Sequence, residues 1–236
     1  MKILPDGWGI ASVEDISAVL NSVHNVFQPC FGGNLNPQQL IVAHHNNANP
    51  VTLREAGMIF LSAKDNNWCQ YAYQFAHEYC HFQFFCQVAQ QMRWFEESLC
   101  ELASYFFLPR IAELWAKSPP YPNWRPYAPN FINYVELDQR KATPFNLDFS
   151  VDTENLINLV KNEYNREKNA YVAVTLAPIF QENPALWSVI HYIADIPKKL
   201  SFAESLQCWY GLCPDKHRRS IEKIAAIFSL SLQTSP

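Results

Sequence analysis

The feature that most constrains the fold is the stretch from residue 68 to residue 92, which contains neither glycine nor proline. These two residues interrupt helices most strongly. Asp65, Asn66 and Asn67 come just before the stretch and offer side chains that can cap a helix N-terminus. The sequence therefore predicts one long α-helix from Trp68 to about Met92.

A metal-binding pattern lies inside this predicted helix, because residues 77 to 81 read HEYCH and match HExxH. His77 and His81 are one helical turn apart on the same face, so both rings can reach one zinc ion at about 2.0–2.1 Å. Glu78 lies about 100° round the helix from His77. It can stand beside the metal and act as general base toward a bound water. A structural interpretation remains open, in which the two histidines are partly buried helix residues bonded to neighbours.

A second helix is predicted from Trp94 to about Lys117, with Pro109 expected to kink or divide it. Catalytic zinc takes three protein ligands and leaves a fourth position for water. Glu97 and Glu101 are four residues apart and share a face. We expect Glu97 to bind the metal and Glu101 to accept the second N–H of one histidine. The neighbouring Glu96 is expected to point away.

Taken together, these motifs resemble the gluzincin class of metallopeptidases, which includes thermolysin-like and aminopeptidase-like enzymes. The second helix of that class often reads Trp-Phe/Leu-x-Glu-Gly-x-Ala-Glu. Residues 94 to 101 read WFEESLCE and match this frame, with Ser98 and Cys100 in the places of Gly and Ala. The resemblance covers residues 57 to 109, under a quarter of the chain. It implies a zincin-like fold and peptide-bond hydrolysis with zinc as the cofactor.

Two further site predictions follow from the resemblance. Gluzincins usually carry a Tyr or His far along the chain that stabilises the oxyanion, and among His191, Tyr192, Tyr134 and Tyr105 we select His191. The strand before the zinc helix is often a sheet edge that pairs with an extended substrate. The corresponding substrate-binding residues are Ile59, Phe60, Leu61, Ser62 and Ala63; alternatively, this segment is simply a core strand.

The rest of the chain predicts an α+β fold, with a small N-terminal sheet packed on the zinc helix and a mainly helical C-terminal part. Residues 1–92 form the first lobe and residues 93–236 the second, together one catalytic unit. The predicted strands are 39–44 and 58–63. The proline-rich segment 118–130 is predicted to be a surface loop. The other predicted helices are 13–27, 153–169, 171–180, 184–195, 202–210 and 215–230.

Composition excludes several partners. The net charge is −4 with no basic run, which argues against nucleic-acid binding. The most apolar stretches fall short of eighteen residues, so no membrane span is expected. The first ten residues show no signal-peptide pattern. Seven cysteines, an odd number without a pairing pattern, suit reduced thiols. We expect a cytoplasmic protein, although a trimmed chain would look the same.

The sequence therefore predicts a zinc metallopeptidase acting on a peptide or protein substrate. Two alternatives stay open. One is a peptidase restricted to a single partner, because residues 97–109 also resemble the phage- and element-borne metallopeptidases that cleave repressors. That family usually has a longer gap between the two helices. The other is a catalytically inactive zincin-fold protein that serves in binding or regulation.

Overall fold

The computed structural model describes residues 1–46 and 49–233 and shows an α+β fold that is mostly helical. The small sheet comprises strands β1 (Lys2–Ile3), β2 (Ile41–His44), β3 (Val51–Leu53) and β4 (Met58–Leu61). The α-helices are α1 (Val13–Phe31), α2 (Trp68–Phe82), α3 (Arg93–Lys117), α4 (Pro129–Gln139), α5 (Glu154–Lys161), α6 (Arg166–Glu182), α7 (Phe202–Leu212) and α8 (Asp215–Ile227). Three 3-10 helices are Gln90–Met92, Pro122–Tyr127 and Pro184–Asp195.

The sheet has the strand order β1-β2-β4-β3, with β1, β2 and β4 parallel and β3 antiparallel to β4. Strand β4 therefore lies between two neighbours, and the predicted substrate-binding edge at residues 59–63 is wrong. The short strand β3 was not predicted, and it occupies the position next to β4. Beyond β4, the amides of Ser62 and Ala63 both donate to the side-chain oxygen of Gln74 at 3.0 Å. Their main-chain groups are thus also engaged within the chain.

Helix α2 is shorter than predicted, because it ends at Phe82 rather than near Met92. The amide of Gln83 bonds back to the carbonyl of Cys80 at 2.9 Å, and Phe85 adopts a left-handed backbone with φ of 61°. The absence of Gly and Pro did not prevent this turn. It returns the chain so that α3 packs along α2, which buries far more apolar surface than an extended helix would.

Helix α3 runs through the centre of the molecule and is buried around most of its circumference. It packs against α1, α2, α4 and α6. Of the two effects predicted for Pro109, a kink or a division, the division is wrong, because packing on all sides outweighs the loss of one main-chain hydrogen bond. Phe107 is fully buried in α3 and stacks against Phe27 from α1. The apolar core is continuous across residue 92.

The later helices follow the predicted pattern with different boundaries. The predicted helix 153–169 is two helices, because α5 ends at Lys161 and α6 starts at Arg166 with Asn165 as its cap. The proline-rich segment is not wholly irregular. Pro122–Tyr127 forms a 3-10 helix, and Pro129 begins α4, where a missing N–H costs nothing. Membrane spanning is a separate question. Within the described residues, no helix is both long enough and apolar enough to cross a bilayer.

Candidate metal centre

Helices α2 and α3 bring His77, His81 and Glu97 together. The Nε2 atom of His77 lies 3.4 Å from Oε2 of Glu97, and the Nε2 atom of His81 lies 3.4 Å from Oε1 of the same carboxylate. One donor atom from each residue lies within 4.8 Å of the other two. Both histidines thus turn the same ring nitrogen toward one carboxylate.

The spacing of these atoms fits a metal ion. Ligand atoms about 2.0–2.1 Å from a tetrahedral zinc lie about 3.3–3.4 Å from one another, the length of a tetrahedron edge. The two observed separations of 3.4 Å match this value and exceed the ordinary range for an N–H···O hydrogen bond. Two imidazoles and a carboxylate form the donor set of many catalytic zinc sites. The residues present therefore fit a single divalent metal.

The second nitrogen of His81 is held by a residue that the sequence analysis placed incorrectly. Glu96 is 4% exposed, and its Oε1 lies 2.6 Å from Nδ1 of His81. Arg54, just after β3, forms an ion pair with Glu96 and also donates through Nε to the carbonyl of His81 at 2.7 Å. The expectation that Glu96 points away is wrong, because α3 is buried on several faces at once. This pairing favours the tautomer that leaves Nε2 free for a metal.

The second nitrogen of His77 faces Glu101, as the spacing of the acidic residues predicted. The Nδ1 atom of His77 lies 3.3 Å from Oε2 of Glu101. The other oxygen of Glu101 accepts hydrogen bonds from the hydroxyls of Tyr73 and Tyr105. Both hydroxyls also lie within hydrogen-bond distance of Asp138 from α4, at 2.7 and 2.9 Å, and each donates its single proton to one of the two carboxylates. These contacts anchor Glu101 and hence the ring of His77.

The electrostatics of the cluster favour a positive charge at its centre. Burial alone would lower the pKa of His77, but the carboxylates of Glu101 and Glu97 hold that pKa well above its ordinary value. Burial would likewise raise the pKa of Glu97, yet His81 and His77 hold it well below its usual range. Glu97 therefore stays ionised, and the cluster attracts either a proton or a metal cation.

Glu78 lies at the edge of a cavity of about 960 Å³ that contains the whole cluster. The side chain is 6% exposed, and its Oε2 accepts a hydrogen bond of 2.8 Å from the hydroxyl of Thr52 on β3. Strand β3 forms one wall of the cavity, and the N-terminal part of α6 forms another. The arrangement places a carboxylate base beside the three candidate metal ligands.

Two other sequence predictions are not part of this cavity. His191 belongs to the 3-10 helix Pro184–Asp195 and stacks on Phe85, with 5.1 Å between ring centroids. Neither His191 nor residues 59–63 lie among the residues that line the cavity. The assignment of His191 to the oxyanion thus has no support from the lining of this cavity and stays a prediction. Burying the apolar residues of that 3-10 helix places its histidine away from the metal ligands.

Several cavity residues were missed by sequence reasoning. Thr52 belongs to a strand too short to be recognised, and Arg54 directly follows that strand; neither the hydroxyl nor the charge is part of a sequence pattern. Tyr164 lines the cavity from the turn between α5 and α6 and is 70% exposed. Burial together with the carboxylates of Glu163 and Glu97 raises the pKa of its phenol. Tyr134, one of the predicted alternatives for the oxyanion, also lines the cavity.

A second group with metal-ligand chemistry overlaps the first. Donor atoms of His81, Glu96 and Cys100 lie within 4.8 Å of one another, and all three residues are buried. The guanidinium of Arg54 already supplies the positive charge there through its ion pair with Glu96. We therefore assign this group to the support of His81 rather than to a second metal.

Comparisons of the chain with protein-family models, with curated proteins and with solved structures gave no significant match. The argument for function consequently depends on the geometry of this site.

Proposed function

We propose that this chain is a zinc-dependent metallopeptidase, with His77, His81 and Glu97 as metal ligands and Glu78 as general base. The observation that carries the proposal is the position of two Nε2 atoms, each 3.4 Å from a different oxygen of one carboxylate. Each separation is compatible with two ligands of one zinc ion, and the buried Glu78 lines the same cavity. The donor set of two imidazoles and a carboxylate favours zinc among divalent ions.

The mechanism assigns a separate task to each residue. A zinc ion held by His77, His81 and Glu97 would polarise a peptide carbonyl and lower the pKa of a bound water molecule. The carboxylate of Glu78 takes a proton from that water molecule while the oxygen of the water attacks the carbonyl carbon. Glu78 then delivers the proton to the departing amine nitrogen as the C–N bond breaks. Glu96 and Glu101 hold the histidine rings in place throughout.

A peptide substrate suits the shape of the cavity. Strand β3 pairs with β4 on one side, and within the described sheet its other side has no strand neighbour. Val51 and Thr52 of β3 line the cavity. An extended peptide can pair with this edge through main-chain hydrogen bonds and pass over the metal ligands. The substrate-binding strand is then β3 rather than β4.

The direct test replaces Glu78 by Gln, which preserves shape and removes the base. The zinc-loaded proteins are assayed on denatured casein and on a mixed-sequence library of fluorogenic peptides. We expect Glu78→Gln to retain about one zinc per chain and to lose about 10²- to 10⁴-fold in kcat, the range that a general base supplies. Glu113→Gln, an exposed carboxylate on α3 that does not line the cavity, is the matched control and should cleave like wild type.

Two outcomes would contradict the proposal. Glu78→Gln as active as wild type would exclude Glu78 as the base. A zinc-loaded wild-type protein that cleaves neither probe would count against a general peptidase and would favour an enzyme restricted to one partner or an inactive binding protein.

A further inference from the structure

Strand β3 reverses the usual pattern of an edge strand. Antiparallel strands normally turn apolar side chains inward and polar ones outward. Here Val51 and Leu53 are 37% and 46% exposed, whereas Thr52 between them is half-buried. Thr52 is the register partner of Ile59, which is fully buried, so both side chains lie on the same face of the sheet. A hydroxyl thus occupies the inward position where an apolar residue would be expected.

The hydroxyl of Thr52 faces Glu78 on α2. Its Oγ1 lies 2.8 Å from Oε2 of the Glu78 side chain and 2.8 Å from the main-chain carbonyl of the same residue. A carboxylate oxygen can only accept at this contact, so the hydroxyl of Thr52 is the donor. Binding Oε2 fixes the rotation of the carboxylate and leaves Oε1 for a water molecule. The contact therefore sets the direction in which Glu78 presents its free oxygen.

A purely structural explanation accounts for less of this geometry. The carbonyl of Glu78 lies inside α2, where the amide of Phe82 four residues later is its helical partner. That carbonyl therefore does not depend on Thr52. Apolar packing would also be served better by valine, which has nearly the same shape and a higher propensity for strands. Valine cannot form the hydrogen bond that Thr52 makes to the carboxylate of Glu78.

We infer that Thr52 is a positioning residue for Glu78 and couples the substrate-binding edge of the sheet to the general base. This inference rests on the proposed function, because it assigns a role within that same site. The hydrogen bond holds Glu78 in the orientation that receives a proton from water and returns it to the leaving amine. Val51 and Leu53, directed to the other face, leave the same strand free to pair with a peptide.

The test compares Thr52→Val, which removes the hydroxyl, with Thr52→Ser, which keeps it. Zinc content, kcat and KM are measured for the zinc-loaded proteins on the casein and peptide probes. We expect Thr52→Val to keep about one zinc per chain, to lose about 10- to 100-fold in kcat and to change KM by less than about twofold. Thr52→Ser should recover most of kcat. Leu53→Ala, on the exposed face and outside the residues that line the cavity, is the control for general damage to the strand.

Equal kcat in Thr52→Val and wild type would overturn the inference, and so would a serine variant as impaired as the valine variant. If Thr52→Val loses zinc or unfolds, Thr52→Ala is measured as a second deletion. Loss of zinc in both would make the role structural and would also overturn the inference.

A binding measurement separates this inference from the proposed function. Acetohydroxamate must give up its hydroxyl proton to a nearby base when it binds a metal, and Glu78 is placed to accept that proton. We expect its Kd for the zinc-loaded protein to rise about tenfold in Thr52→Val and to stay unchanged in Thr52→Ser. An unchanged Kd in Thr52→Val would overturn the positioning role. The result does not depend on whether any peptide is cleaved.

Discussion

At the scale of single residues, the two histidines of the cluster are supported in different ways. Glu101 holds His77 and is itself bound by two tyrosines, whereas Glu96 holds His81 and is neutralised by Arg54. Each ring therefore has a carboxylate at Nδ1 and turns its Nε2 toward Glu97. Such contacts fix both tautomer and orientation, which is what a preorganised metal site requires.

The protonation of His77 predicts how metal binding depends on pH. Because the carboxylates hold the pKa of His77 well above its ordinary value, this ring carries a proton near neutrality in the metal-free protein. A metal must displace that proton, so zinc affinity should fall as the pH falls. We expect a loss of about tenfold per pH unit below the folded-state pKa. Glu97 stays ionised over this range because its pKa is lowered.

The measurement is the zinc Kd at pH 6, 7 and 8 by chelator competition, together with calorimetry in buffers of different ionisation enthalpy. About one proton should be released per zinc bound at neutral pH. An affinity that does not change with pH would show that His77 is neutral before the metal binds.

Residue spacing predicted only part of this site. The positions of His77, Glu78, His81, Glu97 and Glu101 follow from helical periodicity, because residues four apart share a face. The position of Glu96 does not follow from helical periodicity. A helix that is buried on several sides can direct two adjacent residues toward one site. Arg54 and Thr52 could not be predicted either, because they reach the site through strand pairing over a long sequence separation.

At the scale of secondary-structure elements, the main differences lie where tertiary packing overrides local preference. Helix α2 stops at Phe82 although no residue forces it to, and α3 continues through Pro109 although that residue normally ends a helix. Both outcomes increase the burial of α3 in the core. The three-residue strand β3 is stabilised by its pairing with β4 and has too few residues for a recognisable pattern.

In place of His191, we propose Tyr164, in the turn between α5 and α6, as the oxyanion-stabilising group. Tyr164 lines the cavity, and its phenol is close enough to Glu97 for that carboxylate to contribute to its raised pKa. The phenol therefore keeps its proton and can donate to a developing oxyanion. We expect Tyr164→Phe to lower kcat about 100-fold with little change in KM.

His191→Ala is the comparison for this prediction, since His191 does not line the cavity. It should retain wild-type kcat on the same peptide probes. A Tyr164→Phe variant with full activity, or a large loss in His191→Ala, would reverse the assignment.

At the scale of the whole molecule, the metal ligands join two helices that share the central core. His77 and His81 belong to α2, and Glu97 belongs to α3, which packs against α1, α2, α4, α5 and α6. Zinc at 100 times its Kd should stabilise the folded state by about 2.7 kcal/mol. For a chain of this size that corresponds to a rise of about 5–10 °C in Tm.

Thermal unfolding with and without zinc measures this shift. His81→Ala should unfold at nearly the same temperature in both conditions. A rise in Tm that persists in His81→Ala would mean that zinc stabilises the protein from another place.

The fold class could be predicted from composition and periodicity, since the long helices and the strands at 41–44 and 58–61 gave clear patterns. The order of the strands could not be predicted, because it depends on which short segments pair across the sheet. The error about β4 follows from this, since a missed strand next to it makes an interior strand look like an edge.

The central claim is that the HExxH helix and Glu97 hold one metal ion, and metal content measures this directly. Wild type, His81→Ala and His191→Ala are purified without added metal and without a histidine tag, and each is analysed for metal per chain. We predict about one zinc per chain in wild type and in His191→Ala, and almost none in His81→Ala. Wild-type protein that holds no metal even after zinc is restored, or His81→Ala that binds as much as wild type, would contradict the account.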